Sequence, residues 1–364
     1  MTEWDFIGDI HGNAKKLRLL LKKLGYLLDG ACDYYHPDGR KVFFLGDYID
    51  RGEHILETLR IVKTMCDNGH AVGIMGNHEF NLLCYLTRRT LEKNPPANTL
   101  ANTPANSPTA NPPVYSPFYS PVYCRRHNKT HSQENLLTRK TLKKDKSTQN
   151  YLNWFLTLPI FVETKDFRVV HACWSEEAIK YFHKKLPATN QKAQPLLKSF
   201  SPSVGYIDQD MIATMHQAGS VKKKWAMEIL LKGAEVELPS ELHFFDNDDN
   251  LRKKSRLRWW VNLKNKSSVK ELDFLIFDCQ RNSDRKPLSQ DQREILKKKI
   301  MKKKIEYSEK EKPVFFGHYW MRGEPKLMSK NICCLDYSVA KNGKLTAYRF
   351  DGEKHLNQKK LFWV

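Results

Sequence analysis

The chain has 364 residues, and its 61 Lys and Arg against 41 Asp and Glu give a formal net charge of +20. This length suits one large domain with insertions, or two domains. The charge favours anionic partners, namely phosphorylated substrates, nucleic acid or a membrane surface, without choosing among them. No run approaches the roughly 20 apolar residues of a membrane-spanning helix, so we expect a protein without a transmembrane segment.

The cysteine pattern and the start of the chain bear on its location. The 8 cysteines are scattered and form no CxxC pair, which argues against a zinc module and against a disulfide framework. A reducing cytoplasm is the simplest setting for such a chain. The first strand-like run begins at Trp4, which leaves no room for a signal peptide. We therefore predict a cytoplasmic location.

Three apolar runs in the first quarter of the chain each end in a short polar loop. Residues 4–7 lead into GDIHG at 8–12, residues 42–45 into GDYIDRG at 46–52, and residues 71–75 into GNHE at 76–79. Apolar residues at helical spacing follow each loop, so strand, loop and helix occur three times in succession. This pattern predicts an α/β fold with a parallel sheet covered by helices.

Residues 94–149 interrupt the pattern. No charged residue occurs between Lys93 and Arg125, and this stretch is rich in Pro, Asn, Thr, Ala and Ser. Residues 125–146 are then rich in Lys and Arg. We predict a low-complexity and basic insertion that is disordered. Its basic part is either a solvated segment or a contact for an acidic partner.

Two later apolar runs end in a histidine. Residues 167–170 lead into His171, and residues 314–316 lead into Gly317 and His318. Between them, residues 175–312 form a long excursion, which we predict to be an inserted cap or a region on the substrate side. Its Lys-rich end, near 292–311, predicts a basic helix that is either a solvated face or a contact for an acidic partner or nucleic acid.

The five loops are expected to converge. In open α/β sheets, sites form outside the carboxyl ends of the strands. Glycines in these loops permit sharp turns and close backbone approach. Two buried carboxylates aimed at one point, as Asp47 and Asp50 would be, are costly without a compensating cation. The pattern therefore indicates oxygen and nitrogen ligands gathered at one edge of a sheet.

The ordered motifs GDxHG, GDxxDRG and GNHE, followed by two histidines, resemble those of calcineurin-like metallophosphoesterases. Within that superfamily the chain is similar to the phosphoprotein phosphatase group and its diadenosine tetraphosphatase relatives. The resemblance implies a β-sandwich flanked by helices. Its catalytic core would comprise residues 1–93, 150–174 and 313–364, with the disordered and the helical, basic insertions between them.

The resemblance also implies a site for two divalent metal ions. By motif, the ligands would be Asp9, His11, Asp47, Asn77, His171 and His318. The first two would bind one ion, the last three the other, and Asp47 would bridge both. Mixed imidazole, carboxylate and amide ligands suit manganese, our first expectation, with iron or zinc as alternatives.

Catalytic roles follow from the same motifs. His78 resembles the family's proton donor to the leaving group, Asp50 the carboxylate that orients it, and Arg51 a phosphate-binding group. A second phosphate-binding arginine is usual in the family but has no motif here, and Arg256 and Arg258 are our candidates. The implied reaction is in-line attack of a metal-bridging hydroxide on the phosphoester.

Three functions remain open. The first is a phosphomonoesterase acting on Ser/Thr phosphoproteins. The second is a hydrolase of dinucleoside polyphosphates, such as diadenosine tetraphosphate, or of other nucleotides, in which Trp259 and Trp260 would stack on a base. The third, ranked last, is a nucleic-acid-associated protein, whose binding would weaken steeply with salt.

Overall fold

The computed structural model describes residues 3–90, 123–185, 194–200, 202–217, 219–240, 243–245, 251–261, 289–301 and 305–364. The strands among these residues are β1 (Trp4–Ile7), β2 (Leu27–Asp29), β3 (Asp33–Tyr35), β4 (Lys41–Phe44), β5 (Ala71–Gly73), β6 (Phe161–Glu163), β7 (Arg168–Val170), β8 (Ser203–Gly205), β9 (Glu235–Glu237), β10 (Phe244–Phe245), β11 (Leu251–Arg252), β12 (Lys254–Arg256), β13 (Val314–Phe316), β14 (Ile332–Cys334), β15 (Asp336–Tyr337), β16 (Lys344–Phe350) and β17 (Leu361–Trp363).

The α-helices of the same residues are α1 (Ala14–Lys23), α2 (Ile55–Asp67), α3 (Asn77–Leu86), α4 (Lys129–Glu134), α5 (Leu136–Lys143), α6 (Thr148–Phe155), α7 (Glu176–Lys185), α8 (Pro195–Phe200), α9 (Gln209–Thr214), α10 (Val221–Lys232) and α11 (Gln290–Met301). None of these helices is long and apolar enough to cross a membrane.

The first sheet is built around β1. Its order is β15-β16-β1-β4-β5, with β17 beside β16. Strands β1, β4 and β5 run parallel, as the repeated strand, loop and helix pattern predicts, and β16 pairs with β1 in the antiparallel direction. The carboxyl ends of the three parallel strands consequently lie at one edge of this sheet.

The second sheet has the order β14-β13-β7-β6-β8. Strands β7, β13 and β14 run parallel, while β6 pairs with β7 and β8 in the antiparallel direction. The loops that contain His171 and His318 follow β7 and β13, so the two histidines leave this sheet at the same edge.

The two sheets pack face to face around an aromatic core. Phe6 of β1 and Phe315 of β13 are fully buried, and their rings stack with centroids 3.7 Å apart. Trp4, Phe43 and Phe167 belong to the same cluster. Burial of a large aromatic side chain stabilises the folded state by roughly 1.5–3 kcal/mol. The predicted helix-flanked β-sandwich is confirmed, with α1 and α2 covering the outer face of the first sheet.

The predicted disorder of residues 94–149 is wrong for its second half. Residues 91–122 lie outside the described part, but residues 123–149 form α4, α5 and the start of α6. Leu142 is buried, and Arg60 of α2 contacts Asp145 at 3.3 Å. Basic composition misled the prediction because two side chains of α5, Thr138 and Leu142, are buried against the protein although Leu136 and Leu137 are exposed.

The predicted cap at residues 175–312 is not wholly separate from the core. Strand β8 pairs with β6 and thereby extends the second sheet. The basic helix predicted near 292–311 is present as α11, which buries Leu296 and Ile300 and exposes Lys297 and Lys298. Residues 302–304 lie outside the described part, and residues 305–311, which the prediction also assigned to this helix, are not helical.

Candidate metal centre and active site

Hydrogen bonds between backbone groups join the predicted site loops in pairs. The N–H groups of Ile10 and His11 both donate to the carbonyl of Asp47, at 3.1 and 2.8 Å. In the second sheet, the N–H of Gly317 donates to the carbonyl of His171 at 2.9 Å. Each sheet therefore presents its loops as one linked unit at the shared edge.

Strained backbone is concentrated in these loops. Five of their non-glycine residues have positive φ: His11 (47°), Asp47 (53°), Asp50 (66°), Arg51 (70°) and His318 (66°). Non-glycine residues rarely adopt this conformation, which costs on the order of 1–3 kcal/mol each and persists only where the surrounding structure enforces it. Clusters of such residues are typical of functional sites.

His11 faces Asp47 with its free ring nitrogen. Its Nδ1–H donates to the carbonyl of Ile49 at 3.0 Å, and its Nε2 lies 3.5 Å from Oδ2 of Asp47. Burial and the charges of His78 and Arg51 lower the pKa of His11 to about 3, against the opposing charge of Asp47. The imidazole is therefore neutral, and Nε2 offers a lone pair toward the carboxylate, as a metal ligand does.

The other oxygen of Asp47 faces a second group of ligands. Its Oδ1 lies 3.4 Å from Nε2 of His171, whose Nδ1–H donates to the carbonyl of Leu45 at 2.7 Å. The side-chain oxygen of Asn77 lies 3.0 Å from His171 Nε2 and 2.7 Å from His318 Nδ1. Potential ligands from both sheets thus meet on either side of one carboxylate.

Asp9, in the loop after β1, faces the loop of the second sheet that contains His318. Its Oδ2 accepts a hydrogen bond from the backbone N–H of His318 at 3.1 Å. A Cβ atom at Gly317 would lie 1.9 Å from Oδ1 of Asp9, so only glycine leaves room for this carboxylate. Burial and the charge of Asp336 raise the pKa of Asp9 well above its usual value.

The electrostatics of the cluster suit a cation. Burial alone would raise the pKa of Asp47, but the charges of His171 and His78 hold it well below its usual value. Burial opposes a charge on His171, yet Asp47 raises the pKa of this imidazole to about 10. The charge of Asp47 therefore favours a positive charge beside it, where a divalent ion would meet oxygen and nitrogen ligands.

His78 is held by a carboxylate beside this cluster. Its Nδ1 lies 2.6 Å from Oδ2 of Asp50, and its Nε2 lies 3.9 Å from Oδ2 of Asp47. Burial would lower the pKa of His78, but Asp47 and the hydrogen bond to Asp50 raise it. Asp50 thus orients the His78 ring, whose Nε2 is directed at the edge of the predicted metal centre.

Glu79 organises the loop that holds Asp47. Its carboxylate accepts backbone hydrogen bonds from Asp47, Tyr48 and Gly76 at 2.9–3.0 Å. A Cβ atom at Gly76 would lie 2.2 Å from the backbone nitrogen of Asp47, so the two loops touch through this glycine. Glu79 therefore fixes this loop through hydrogen bonds.

The three predicted arginines occupy different positions. Arg51 is exposed, and its charge lowers the pKa of both His11 and His78, so it lies at the mouth of the site. Arg256 is half-buried at the end of β12. Burial and, after it, the charge of Arg256 lower the pKa of His318. Arg258 is half-buried, and burial lowers its pKa.

The hypothesis that Trp259 and Trp260 stack on a base is contradicted by their burial. They are only 2% and 8% exposed. The indole N–H of Trp259 donates to the carbonyl of Ala172 at 3.0 Å, and both rings pack against Phe316. The tryptophans anchor the segment that contains Arg256 to the second sheet.

Sequence reasoning missed two buried residues of the site. Asp336 raises the pKa of Asp9 and accepts hydrogen bonds from the N–H groups of Trp320 and Ser338, at 2.6 and 2.9 Å. Thr138 of α5 contacts Asp50. Neither residue lies in a motif, and each comes close to the site only through folding of a distant segment.

The model of the family described as calcineurin-like phosphoesterase matches residues 5–199, more than half of the chain. The chain belongs to the calcineurin-like phosphoesterase family. Members are hydrolases that depend on a dinuclear metal centre, and the buried carboxylate, amide and imidazole groups described above fit such a centre.

Similar curated proteins cleave dinucleoside tetraphosphates according to their names. The asymmetrical bis(5'-nucleosyl)-tetraphosphatase PrpE of Halalkalibacterium halodurans is 41% identical over 90 residues, which are 25% of this chain and 36% of that protein. The symmetrical bis(5'-nucleosyl)-tetraphosphatase of a Marinomonas species is 40% identical over 77 residues, 21% of this chain and 24% of that protein. The chain thus spans at most about a third of the length of these relatives.

Solved phosphatases align over most of the chain with low scores. A protein serine/threonine phosphatase from Saccharomyces cerevisiae aligns with 100% of this chain and 79% of its own, at a TM-score of 0.40 and 13% identity. A cold-active protein-tyrosine phosphatase from a Shewanella species aligns with 98% of this chain and 81% of its own, at 0.41 and 16%. Scores this low support no inference about substrate.

Proposed function

We propose that the protein hydrolyses phosphomonoesters, with phosphoserine and phosphothreonine in proteins as the substrate class. The observation that carries this proposal is the pair formed by His78 and Asp50, 2.6 Å apart, beside the Asp47 cluster. In hydrolysis of a phosphoserine or phosphothreonine, the serine or threonine side chain is the leaving group. It leaves as an alcohol, which requires a proton on its oxygen. The pair supplies that proton at the edge of the cluster.

Six side chains are proposed to hold two divalent ions. One ion would be held by Asp9, His11 and Asp47, and the other by Asp47, Asn77, His171 and His318. When bound, such ions neutralise phosphoryl oxygens and lower the pKa of water to supply a nucleophile at neutral pH. Manganese is our first choice, with iron and zinc as alternatives, because mixed imidazole, carboxylate and amide ligands suit these three ions rather than calcium or magnesium.

The remaining roles belong to charged side chains of the chain itself. Arg51, at the mouth of the site, binds the non-bridging oxygens of the phosphate through its planar guanidinium. Arg256, whose charge acts on His318, is the proposed second phosphate-binding arginine. Arg258 is the weaker candidate because it is half-buried and burial lowers its pKa. As the bond between phosphorus and the leaving oxygen breaks, the Nε2 proton of His78 passes to that oxygen, and Asp50 stabilises the imidazole throughout.

A second candidate function is hydrolysis of dinucleoside polyphosphates. It is favoured by the names of the curated relatives, which share about 40% identity with a quarter of the chain. A nucleotide leaving group needs a proton less than an alcohol does, since its phosphate charge is already stabilised. The burial of Trp259 and Trp260 removes the base-stacking surface that we expected for this function.

A substrate panel separates the two candidates. Protein loaded with Mn²⁺ is assayed on a phosphoserine peptide, a phosphothreonine peptide, phenyl phosphate and diadenosine tetraphosphate, with Asp47→Asn as the inactive control. The proposal expects kcat/KM for the phosphopeptides to exceed that for diadenosine tetraphosphate. The reverse order would establish the second candidate, and no turnover of any substrate would overturn both.

We propose that exposed lysines of α5 and α11 speed the association of acidic partners with the protein. Lys297 and Lys298 of α11 are exposed, as are Lys140 and Lys143 of α5. Positive charge of this kind raises the rate at which anionic substrates associate, and the effect falls with ionic strength. Association with an acidic phosphoprotein should therefore slow with salt more than hydrolysis of a small phosphomonoester does.

A further inference from the structure

A helix of the segment between GNHE and His171 reaches into the site. Thr138 of α5 is fully buried, and its hydroxyl donates a hydrogen bond to Oδ1 of Asp50. The same hydroxyl oxygen accepts a hydrogen bond from the backbone N–H of Asp50 at 3.0 Å. The other carboxylate oxygen, Oδ2, lies 2.6 Å from Nδ1 of His78. Thr138, Asp50 and His78 thus form a continuous chain of hydrogen bonds.

We propose that Thr138 is a positioning residue for hydrolysis, which holds Asp50 so that one of its carboxylate oxygens is always directed at His78. The inference rests on the proposed function, because it assigns Thr138 an effect on proton donation by His78. It adds a residue from a segment that the sequence analysis assigned to a disordered insertion.

The conformation of Asp50 explains why such support is needed. This residue has a φ of 66°, which non-glycine residues rarely adopt, and it is only 2% exposed. Its backbone N–H and its carboxylate both require partners, because buried polar groups without partners destabilise the fold. One hydroxyl of Thr138 serves both groups, since a hydroxyl donates and accepts at once. The contact therefore fixes the main chain and the side chain of Asp50 together.

The helix that supplies Thr138 is itself held against the helix that contains His78. Tyr85 of α3 stacks on His127 with ring centroids 3.8 Å apart, and His127 stacks on Tyr123 at 3.9 Å. The guanidinium of Arg139, the residue after Thr138, lies 4.7 Å from the centre of the Tyr85 ring. Because α3 contributes both Tyr85 and His78, the position of α5 is fixed relative to His78 itself.

Kinetics with two leaving groups test the proposal. Thr138→Val keeps the shape of the side chain and removes the hydroxyl, and Thr138→Ser restores a hydroxyl. Thr141→Val is the matched control on the same helix, since Thr141 is half-buried and its hydroxyl has no hydrogen bond to the described residues. All are loaded with Mn²⁺ and assayed on phenyl phosphate, a poor leaving group, and p-nitrophenyl phosphate, a good one.

We expect Thr138→Val to lower kcat for phenyl phosphate by about tenfold or more, the lower end of the loss seen when a group that orients a catalytic residue is removed. The loss for p-nitrophenyl phosphate should be less than about threefold, because this leaving group needs little protonation. KM should change little for either substrate. Thr138→Ser and Thr141→Val should match the wild type.

A spectroscopic measurement is independent of turnover. The proton that His78 Nδ1 shares with Asp50 should give a downfield proton resonance in metal-free protein, assigned by its loss in His78→Asn. We expect this resonance to shift or broaden in Thr138→Val and to remain in Thr138→Ser. An unchanged resonance in Thr138→Val would overturn the proposal.

Equal losses of kcat on both aryl phosphates in Thr138→Val, or no loss, would also overturn it. If Thr138→Val fails to fold, Thr138→Ser decides. A larger loss of kcat for phenyl phosphate than for p-nitrophenyl phosphate in Thr138→Ser would overturn the proposal, because it would show that the methyl group of Thr138 matters and not its hydroxyl. Failure of the proposed function looks different, because wild-type protein would then turn over neither phenyl phosphate nor the phosphopeptides.

Discussion

The two sheets of the sandwich supply different parts of the site. The loops after β1, β4 and β5 in the first sheet bring most of the proposed ligands together with His78, Asp50 and Arg51, and they hold four of the five strained non-glycine residues. The loops after β7 and β13 in the second sheet add two buried imidazoles, His171 and His318. In the proposed assignment, the first sheet would therefore combine metal binding with acid catalysis, whereas the second would only complete the metal centre.

The carboxylate of Asp47 lies between the residues supplied by the two sheets. Asp47 belongs to the first sheet, with one oxygen toward His11 and the other toward His171 of the second sheet. It is the point at which the two halves of the proposed centre join. A substitution at Asp47 should thus disturb the ligands of both sheets, whereas a substitution at another proposed ligand should disturb those of one sheet.

The largest effect is expected for Asp47→Asn. The loss of a charge shared by both proposed ions should remove metal and lower kcat/KM by more than about 100-fold, since groups outside the ligand shell alone cost up to that much. Metal content by mass spectrometry and activity on phenyl phosphate check this. The control is Asp38→Asn, an exposed aspartate of the loop before β4. Full activity in Asp47→Asn would contradict the proposal that Asp47 is a ligand shared by both ions.

The next largest effect separates metal binding from proton donation within the first sheet. His78→Asn should keep both ions yet lower kcat for phenyl phosphate by about 100-fold, because a positioned general acid contributes on the order of 10²–10⁴. The loss should be far smaller for p-nitrophenyl phosphate. Metal loss as large as in Asp47→Asn would instead make His78 a ligand, a role that its distance of 3.9 Å from Asp47 leaves within reach.

A smaller effect is expected for the arginine near the second sheet's histidine. Arg256→Ala should raise KM for phosphopeptides by about tenfold, which corresponds to the loss of one charge-assisted hydrogen bond of roughly 1.5 kcal/mol. Arg258→Ala is the matched variant two residues away, and its KM should change less. Equal and small effects would place the second phosphate-binding group elsewhere.

The smallest effect concerns the end of the second sheet away from these loops. Burial would raise the pKa of Glu163, but its hydrogen bonds to Arg168 and Lys312 lower it. Such a group stabilises the fold at neutral pH, and this contribution is lost as pH falls through its lowered pKa. Glu163→Gln should cost about 1 kcal/mol at pH 7 and less at pH 4 in urea unfolding. The exposed Glu324 supplies the control Glu324→Gln.

Much of the site could be predicted because its residues directly follow strands. Asp9, Asp47 and Asn77 each come two residues after an apolar run, so the parallel sheet alone brings them to one edge. The same reasoning places His171 and His318. Local order along the chain was sufficient here because each ligand's position is set by the end of a strand.

The rest depends on contacts between segments that are distant in sequence. Thr138 reaches Asp50 across 88 positions, from a segment whose lysines suggested disorder. Trp259 and Trp260 looked available for stacking, yet they fill the core against Phe316. Composition does not reveal which face of a segment meets the protein, so neither outcome had a signal in the sequence.

The central claim is that two ions bind on either side of Asp47. A crystal of the Mn²⁺-loaded protein, measured at the manganese absorption edge, tests it most directly. We expect two anomalous peaks roughly 3.5–4 Å apart, as in other two-metal sites, with one oxygen of Asp47 directed at each. A single peak, or peaks that do not contact Asp47, would contradict it.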